Sequence, residues 1–208
     1  TLTGDLLTMV STDNRVITVD GTPGAEQLLY WDISSSQAGA QLDSFPIEQK
    51  LETWTWADAS PDFRYFLITD ISDTTRLWDI SSGQQIISAE NPLFPRHSGQ
   101  PRFSPDGDHL ANLNPDGTVS ILDTTTWEEI ARLAPSGRVV STFKFSPDGK
   151  LIITANRNNT VTVWETRSGR ELFSIALGIP PTFTTLSLGG THLAVGSASG
   201  QVSIWDTE

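Results

Sequence analysis

The residues that could support chemistry in this 208-residue chain do not form a recognisable catalytic or metal-binding pattern. Its three histidines, His97, His109 and His192, are far apart, whereas a zinc site needs His or Cys ligands at short spacing. His109 and His192 each follow a turn glycine by two residues, so they are predicted to begin equivalent strands. The chain contains no cysteine, which excludes disulfides and thiolate metal ligands.

Two further segments resemble functional motifs without meeting their requirements. Gly196–Gly200 has the outline of a nucleophile elbow, but Ala198 stands at the nucleophile position, and the segment is predicted in a hairpin rather than before a helix. The acidic turn Asp106–Asp108 lacks the downstream Glu and the alternating oxygen ligands of a calcium loop. We therefore expect no enzymatic activity, no cofactor and no metal site.

Tryptophan is the residue type whose distribution points to a binding surface. Four of the seven Trp residues recur at the ends of similar segments and are predicted to be core residues: Trp31, Trp78, Trp164 and Trp205. Trp54 and Trp56 lie elsewhere, two residues apart on a predicted strand, where they would share one face. Exposed aromatic residues are typical anchors of interfaces. In the alternative interpretation, both Trp side chains fill a gap left by the small Ala57 and Ala59.

The elements that would position these residues are copies of one unit. Five short strands of hydroxyl and aliphatic residues end on an aromatic residue or Leu followed by an acid: Asp32, Asp79, Asp123, Glu165 and Asp206. Successive acids are 47, 44, 42 and 41 residues apart, and a period near 40 indicates a repeated supersecondary structure. The predicted units are approximately 1–46, 47–90, 91–134, 135–177 and 178–208.

The fourth unit shows the plan of the repeat most clearly. Ser146-Pro147-Asp148-Gly149 predicts a tight turn, because Pro presets its own φ and Gly accepts a positive φ. A hairpin is predicted at Asn158-Asn159, followed by a third strand, Thr160–Glu165, with its two Val residues on one face and Trp164 on the other. Four short antiparallel strands per unit predict an all-β fold in which each sheet packs between two neighbours.

The Ser-Pro-Asp-Gly turns at 104–107 and 146–149 and the Trp-Asp pairs resemble those of the WD-repeat (WD40-type) β-propellers, over essentially the whole chain. The resemblance implies a propeller of five four-stranded blades, the fifth without its outer strand, either complete or part of a larger ring. It implies structural roles in the blades for Trp31, Asp32, Trp78, Asp79, Trp164, Trp205 and Asp206. The Gly-His of the family is missing, since Asp5 stands where His is expected. We therefore expect the family's His–Ser–Asp–Trp hydrogen-bond network to be broken.

Composition and resemblance together favour a non-catalytic scaffold or sensor module that binds protein partners. The 13 basic and 25 acidic residues give a net charge of −12, which repels phosphate backbones, so no nucleic-acid partner is expected. No apolar run approaches the roughly 20 residues of a membrane span; the sequence does not determine the location and slightly favours the cytoplasm. The resemblance implies that Trp54, Trp56, Phe94 and Phe183 lie on the surface where partners bind.

Two other functions stay open on the sequence alone. Gln201–Asp206, the third strand of the fifth unit, would be an apolar edge without a fourth strand beside it, and such edges recruit other strands. This predicts a self-assembly subunit that completes its last blade with a strand from a neighbouring chain. The other alternative is a ligand-binding or enzymatic propeller that uses the central channel, which the lack of converging His, Glu or metal-ligand clusters disfavours.

Overall fold

The chain folds into β-strands only, within the part described by the computed structural model. That part comprises residues 6–12, 15–20, 27–32, 40–46, 54–87, 94, 99–135, 139–187, 189–197 and 199–207. Nineteen strands and no helix occur in these ranges, which confirms the predicted all-β fold. The chain divides into two compact units, Thr1–Asn91 and Pro92–Glu208.

The first unit contains two four-stranded sheets in which consecutive strands pair antiparallel. The strands of the first sheet are β1 (Leu6–Thr12), β2 (Arg15–Asp20), β3 (Gln27–Asp32) and β4 (Ala40–Pro46). The strands of the second sheet are β5 (Trp54–Ala59), β6 (Tyr65–Asp70), β7 (Thr75–Asp79) and β8 (Gln84–Ile87). Each sheet is thus a meander of hairpins, the arrangement that the repeat predicts.

The second unit contains two four-stranded sheets and one three-stranded sheet of the same kind. The third sheet has β9 (Arg102–Phe103), β10 (His109–Leu113), β11 (Val119–Asp123) and β12 (Glu129–Leu133). The fourth has β13 (Val140–Phe145), β14 (Leu151–Asn156), β15 (Thr160–Glu165) and β16 (Glu171–Ala176). The fifth has β17 (Pro181–Leu186), β18 (His192–Ser197) and β19 (Val202–Asp206). His109 and His192 therefore begin equivalent strands, as predicted.

The turn between the first two strands of a sheet is held together by its own Ser and Asp. In the fourth sheet the Ser146 hydroxyl donates to Asp148 Oδ1 (2.7 Å) and accepts the N–H of Leu151 (2.9 Å). The Ser104 hydroxyl makes the same bond to Asp106 Oδ1 in the third sheet (2.5 Å). Because this pairing recurs, the serine marks an equivalent position in each repeat.

The last position of this turn requires a positive φ, which glycine adopts without steric cost. Gly149 has a φ of 74° there, and Phe63 adopts 57° at the same position of the second sheet. The Phe63 side chain is buried, so its burial offsets the cost of the left-handed conformation. Asn159 has a φ of 62° in the hairpin predicted at Asn158-Asn159.

β15 contributes to two hydrophobic clusters, because its side chains alternate between the two faces of the fourth sheet. Trp164 is buried in a cluster with Ile121 of the third sheet. Val163 lies in another cluster with Leu193 of the fifth sheet, and the partly buried Trp205 packs against that cluster. The predicted separation of Trp164 from the Val residues of its strand is therefore confirmed.

Trp164 also makes a hydrogen bond across its own sheet. Its indole Nε1 donates to the hydroxyl of Thr154 at 3.0 Å, and both side chains are buried. A buried indole N–H without an acceptor would cost free energy. The His–Ser–Asp–Trp network of the family is expected to be broken, but the fourth sheet keeps a bond between the Trp indole and a hydroxyl group.

Replacement of Trp164 by Ala should lower the free energy of unfolding by about 3–5 kcal/mol, as for other buried aromatic residues. The physical reason is the lost contact between the third and fourth sheets. Trp127→Asn is a suitable control, since Trp127 is partly exposed in a turn with a φ of 59°, which Asn adopts readily. Urea unfolding of both variants checks this, and equal losses would contradict the role given to Trp164.

The Ser146–Asp148 turn should also make stability dependent on pH. The hydrogen bond from Ser146 holds the pKa of Asp148 below its ordinary value, and the N–H of Lys150 acts in the same direction. The stability contributed by a lowered native pKa is present above the unfolded pKa of about 4 and is lost as pH falls through the native value.

We therefore expect Asp148→Asn to lose less stability than the wild type as the pH is lowered from about 4. Ser146→Ala should show the same reduced dependence, because it removes the main cause of the lowered pKa. Urea unfolding at a series of pH values measures both. Wild-type and Asp148→Asn curves that stay parallel in this range would show that the turn does not supply this dependence.

Candidate interaction surface

The acids that end the third strands close the turns that follow them. Asp79 Oδ1 accepts the backbone N–H of Ser81 (2.8 Å) and of Ser82 (3.0 Å). Partial burial raises the pKa of the Asp79 carboxyl, but the hydrogen bonds from these serines outweigh it, so the pKa lies below its ordinary value. Asp123 accepts the N–H of Thr125 in the same way (2.8 Å). These carboxylates are engaged in local structure.

The other residues of the Trp-Asp pairs also lie at the ends of the third strands of their sheets. The Trp78 ring is buried, with its centroid 6.5 Å from that of Phe66. Trp205 and the exposed Asp206 end β19. Trp31 and Asp32 end β3 opposite residues of β2, and their side chains lie outside the described part of the structure.

A β-bulge recurs near the start of the first strand in the sheets that contain the candidate surface. Residues 54 and 56 pair with Asp70 and Thr69, two consecutive residues of β6. Side chains of consecutive strand residues point to opposite faces, so the strict alternation on which the prediction for Trp54 and Trp56 rests does not hold at this point of β5. The same shift occurs between Val140 and Thr142 and between Pro181 and Phe183.

The candidate aromatic residues differ in their exposure. Phe183 is 51% exposed, and Lys144 Nζ of the fourth sheet lies 4.8 Å from its ring centroid, a cation–π contact. Trp56 is partly buried, and the Trp54 side chain lies outside the described residues. Phe94 is only 3% exposed, so its expected place on an accessible surface is wrong, because a buried ring offers no contact area to a partner.

The fifth sheet presents a second exposed apolar region. Val202 and Ile204 of β19 are 66% and 68% exposed. They lie opposite Gly196 and Ala194 of β18, on the face away from Leu193, which is buried against the fourth sheet. The sequence predicts an apolar edge in this strand, and the structure shows that the exposed side chains lie on one face of the sheet.

No cluster of side chains suited to metal binding is evident in the described ranges. No group of three or more His, Cys, Asp or Glu residues able to hold a metal ion occurs among the residues that the structure describes. His192 is exposed and its Nδ1 lies 2.9 Å from the Thr191 hydroxyl, whereas His97 falls outside the described part. In that part, no helix is long and apolar enough to cross a membrane.

Comparison with known families identifies the repeat. Residues 127–165 match the family model described as WD domain, G-beta repeat. This range contains β12, β13, β14 and β15. The chain therefore contains a WD repeat, in agreement with the resemblance of its turns and Trp-Asp pairs, and such repeats suggest a protein-protein interaction module. A comparison with curated proteins found no match to the chain.

Proposed function

We propose that the chain is a non-catalytic scaffold or sensor module that binds protein partners at the bulged first strands of its repeats. The observation that carries this proposal is the half-exposed ring of Phe183 next to the ammonium group of Lys144. An exposed aromatic ring on an ordered strand offers a large contact area at low entropic cost, and such residues often anchor interfaces. The WD repeat at residues 127–165 supports the same class of function.

The recurrent bulge supports this choice of surface. β-Bulges re-aim side chains and are common next to functional sites. The bulged positions carry different side chains in different repeats, Trp54 to Trp56 in β5, Val140 to Thr142 in β13 and Pro181 to Phe183 in β17. A constant backbone with variable side chains is a usual arrangement for a binding surface. In a WD-repeat propeller, these first strands would surround the central channel.

Phe183→Ala and the double variant Trp54→Ala, Trp56→Ala should each weaken partner binding without a change in melting temperature. Leu172→Ala is the matched control, because Leu172 is 39% exposed in β16, an outer strand that does not pair with a bulged first strand. Crosslinking pull-downs, compared with thermal unfolding, check this expectation. A large loss of stability in the Trp variant would favour the interpretation that these residues fill a gap, and unchanged capture by Phe183→Ala would contradict the proposed surface.

A second candidate function is self-assembly, which the exposed apolar face of the fifth sheet favours. Val202 and Ile204 are neighbours on one face of β19, and both are about two-thirds exposed. Contiguous exposed apolar side chains usually mark a surface that becomes covered. A second copy of the chain would bury them through sheet packing or through pairing at β19.

The double variant Val202→Lys, Ile204→Lys should therefore remain monomeric under conditions in which the wild type associates, since two buried Lys residues would oppose the contact. Ile71→Lys serves as the control, because it adds a charge at an equally exposed position outside the fifth sheet. Sedimentation velocity over a wide range of concentrations distinguishes them. A wild-type protein that is monomeric throughout would exclude this candidate.

A further inference from the structure

A cavity with both polar and apolar walls lies between the first strands of the third and fourth sheets, within the second unit. Its volume is about 240 Å³, and its walls include Gly99, the polar residues Gln100, Arg102, Ser141 and Thr142, and the apolar residues Leu113 and Phe143. Gln100, Ser141 and Thr142 are exposed, whereas Arg102 is partly buried. The cavity is thus open to solvent and has Arg102 in its wall.

The repeat explains why a cavity is present at this place. Arg102 and Lys144 each precede the turn serine of their repeat by two residues, and Thr142 and Phe183 each precede it by four. Between the fourth and fifth sheets, Lys144 lies over the Phe183 ring. Between the third and fourth sheets, the cavity has Arg102 and the much smaller Thr142 at the corresponding positions. The space that a phenyl ring occupies in one repeat is therefore left open in the other.

The wall of this cavity is fixed by a close backbone approach. The N–H of Gly99 donates to the carbonyl oxygen of Leu113 at 2.7 Å. A Cβ atom at position 99 would lie 2.9 Å from the Cβ of Leu113, closer than real Cβ atoms are found. Glycine is therefore required here, and it holds the neighbouring Gln100 at the mouth of the cavity.

The charge distribution favours an anionic occupant. Thr1–Asn91 carries 4 basic and 14 acidic residues, a net charge of −10, whereas Pro92–Glu208 carries 9 and 11, a net charge of −2. No acidic residue occurs in β9, β13 or β17, while Arg102 and Lys144 do. The first strands of the second unit thus present positive charge in a chain that is strongly acidic, and such a local field attracts anions.

We propose that this cavity binds the carboxylate of an Asp or Glu side chain from an extended acidic segment of a protein partner. Arg102 supplies the charge, and its five N–H donors allow it to keep contacts within the chain while it donates to a carboxylate. Gln100 and Thr142 supply further donors at the mouth. The Ser141 hydroxyl already donates to the carbonyl oxygen of Ala155 (2.8 Å), so it does not compete as a donor. This inference rests on the proposed function and names the chemistry of its partner.

The test uses the 208-residue chain and three fluorescein-labelled peptides of Gly and Ser that differ at two central positions, which hold Glu, Gln or phosphoserine. We expect the Glu peptide to bind more tightly than the Gln peptide in fluorescence anisotropy. Arg102→Gln should weaken binding of the Glu peptide about tenfold, the effect of a lost charge-assisted hydrogen bond. Thr142→Phe should abolish binding of the Glu peptide, because its ring would fill the cavity as the Phe183 ring fills the equivalent space between the fourth and fifth sheets. Thr142→Ser should leave this binding unchanged.

Lys150→Gln is the control for general electrostatic attraction, since it removes one exposed positive charge at the turn after β13. Amide chemical shifts of the wild type, followed during titration with the Glu peptide, should change at Gly99, Gln100 and Ser141; this measurement does not depend on whether a variant folds. Equal binding of the Glu and Gln peptides, equal losses in Lys150→Gln and Arg102→Gln, or shift changes only elsewhere would overturn the proposal. Binding of the phosphoserine peptide alone would overturn it in favour of a phosphate site.

The outcome is separable from that of the proposed function. If the peptides fail to bind while partner capture still depends on Phe183, the carboxylate site is wrong and the interaction surface stands. If capture is also unaffected by Phe183→Ala, the proposed surface itself is wrong.

Discussion

Burial of both faces of the same strands is the constraint on which the structure of the second unit depends. In β15, Trp164 packs toward the third sheet and Val163 toward the fifth, so the fourth sheet has apolar side chains on both faces. A single sheet of this composition would expose one apolar face to water, and only stacking of neighbouring repeats buries both. The exposed residues are then left to the outer strands, such as β16, and to the first strands, where the candidate surface lies.

Within these stacked sheets, the serine turns fix the register between the first and second strands. The hydroxyl of Ser146 is bonded to Asp148 and to the N–H of Leu151, which fixes where β13 ends and β14 begins. Positions counted back from the serine are therefore equivalent in successive repeats, even where the side chains differ. This is why Lys144 and Arg102 are comparable, although nothing else in their strands is shared beyond the following Phe.

Local patterns in the sequence were sufficient to predict the strands, the turns and the faces of β15, because the period of two and the turn residues are local properties. They were not sufficient for the bulges, since a bulge is defined by pairing with the next strand. One signal could have revealed it: Val140 and Phe143 are both apolar and both buried in one cluster, yet a separation of three does not fit strict alternation. The burial of Phe94 had no such signal, because it follows from no local period or turn pattern of the sequence.

The candidate sites follow from the same register. A cation two residues before the serine of one repeat lies next to the bulged position of the following repeat, so each potential site is shared by two sheets. With Phe183 at that position the cation covers an aromatic ring, and with Thr142 there is a cavity. A different side chain at the bulged position therefore accompanies either a closed contact or an open pocket. The cation and the bulged residue come from different sheets, so the geometry of such a pocket depends on how these sheets pack around Trp164. The packing of the core therefore affects the surface.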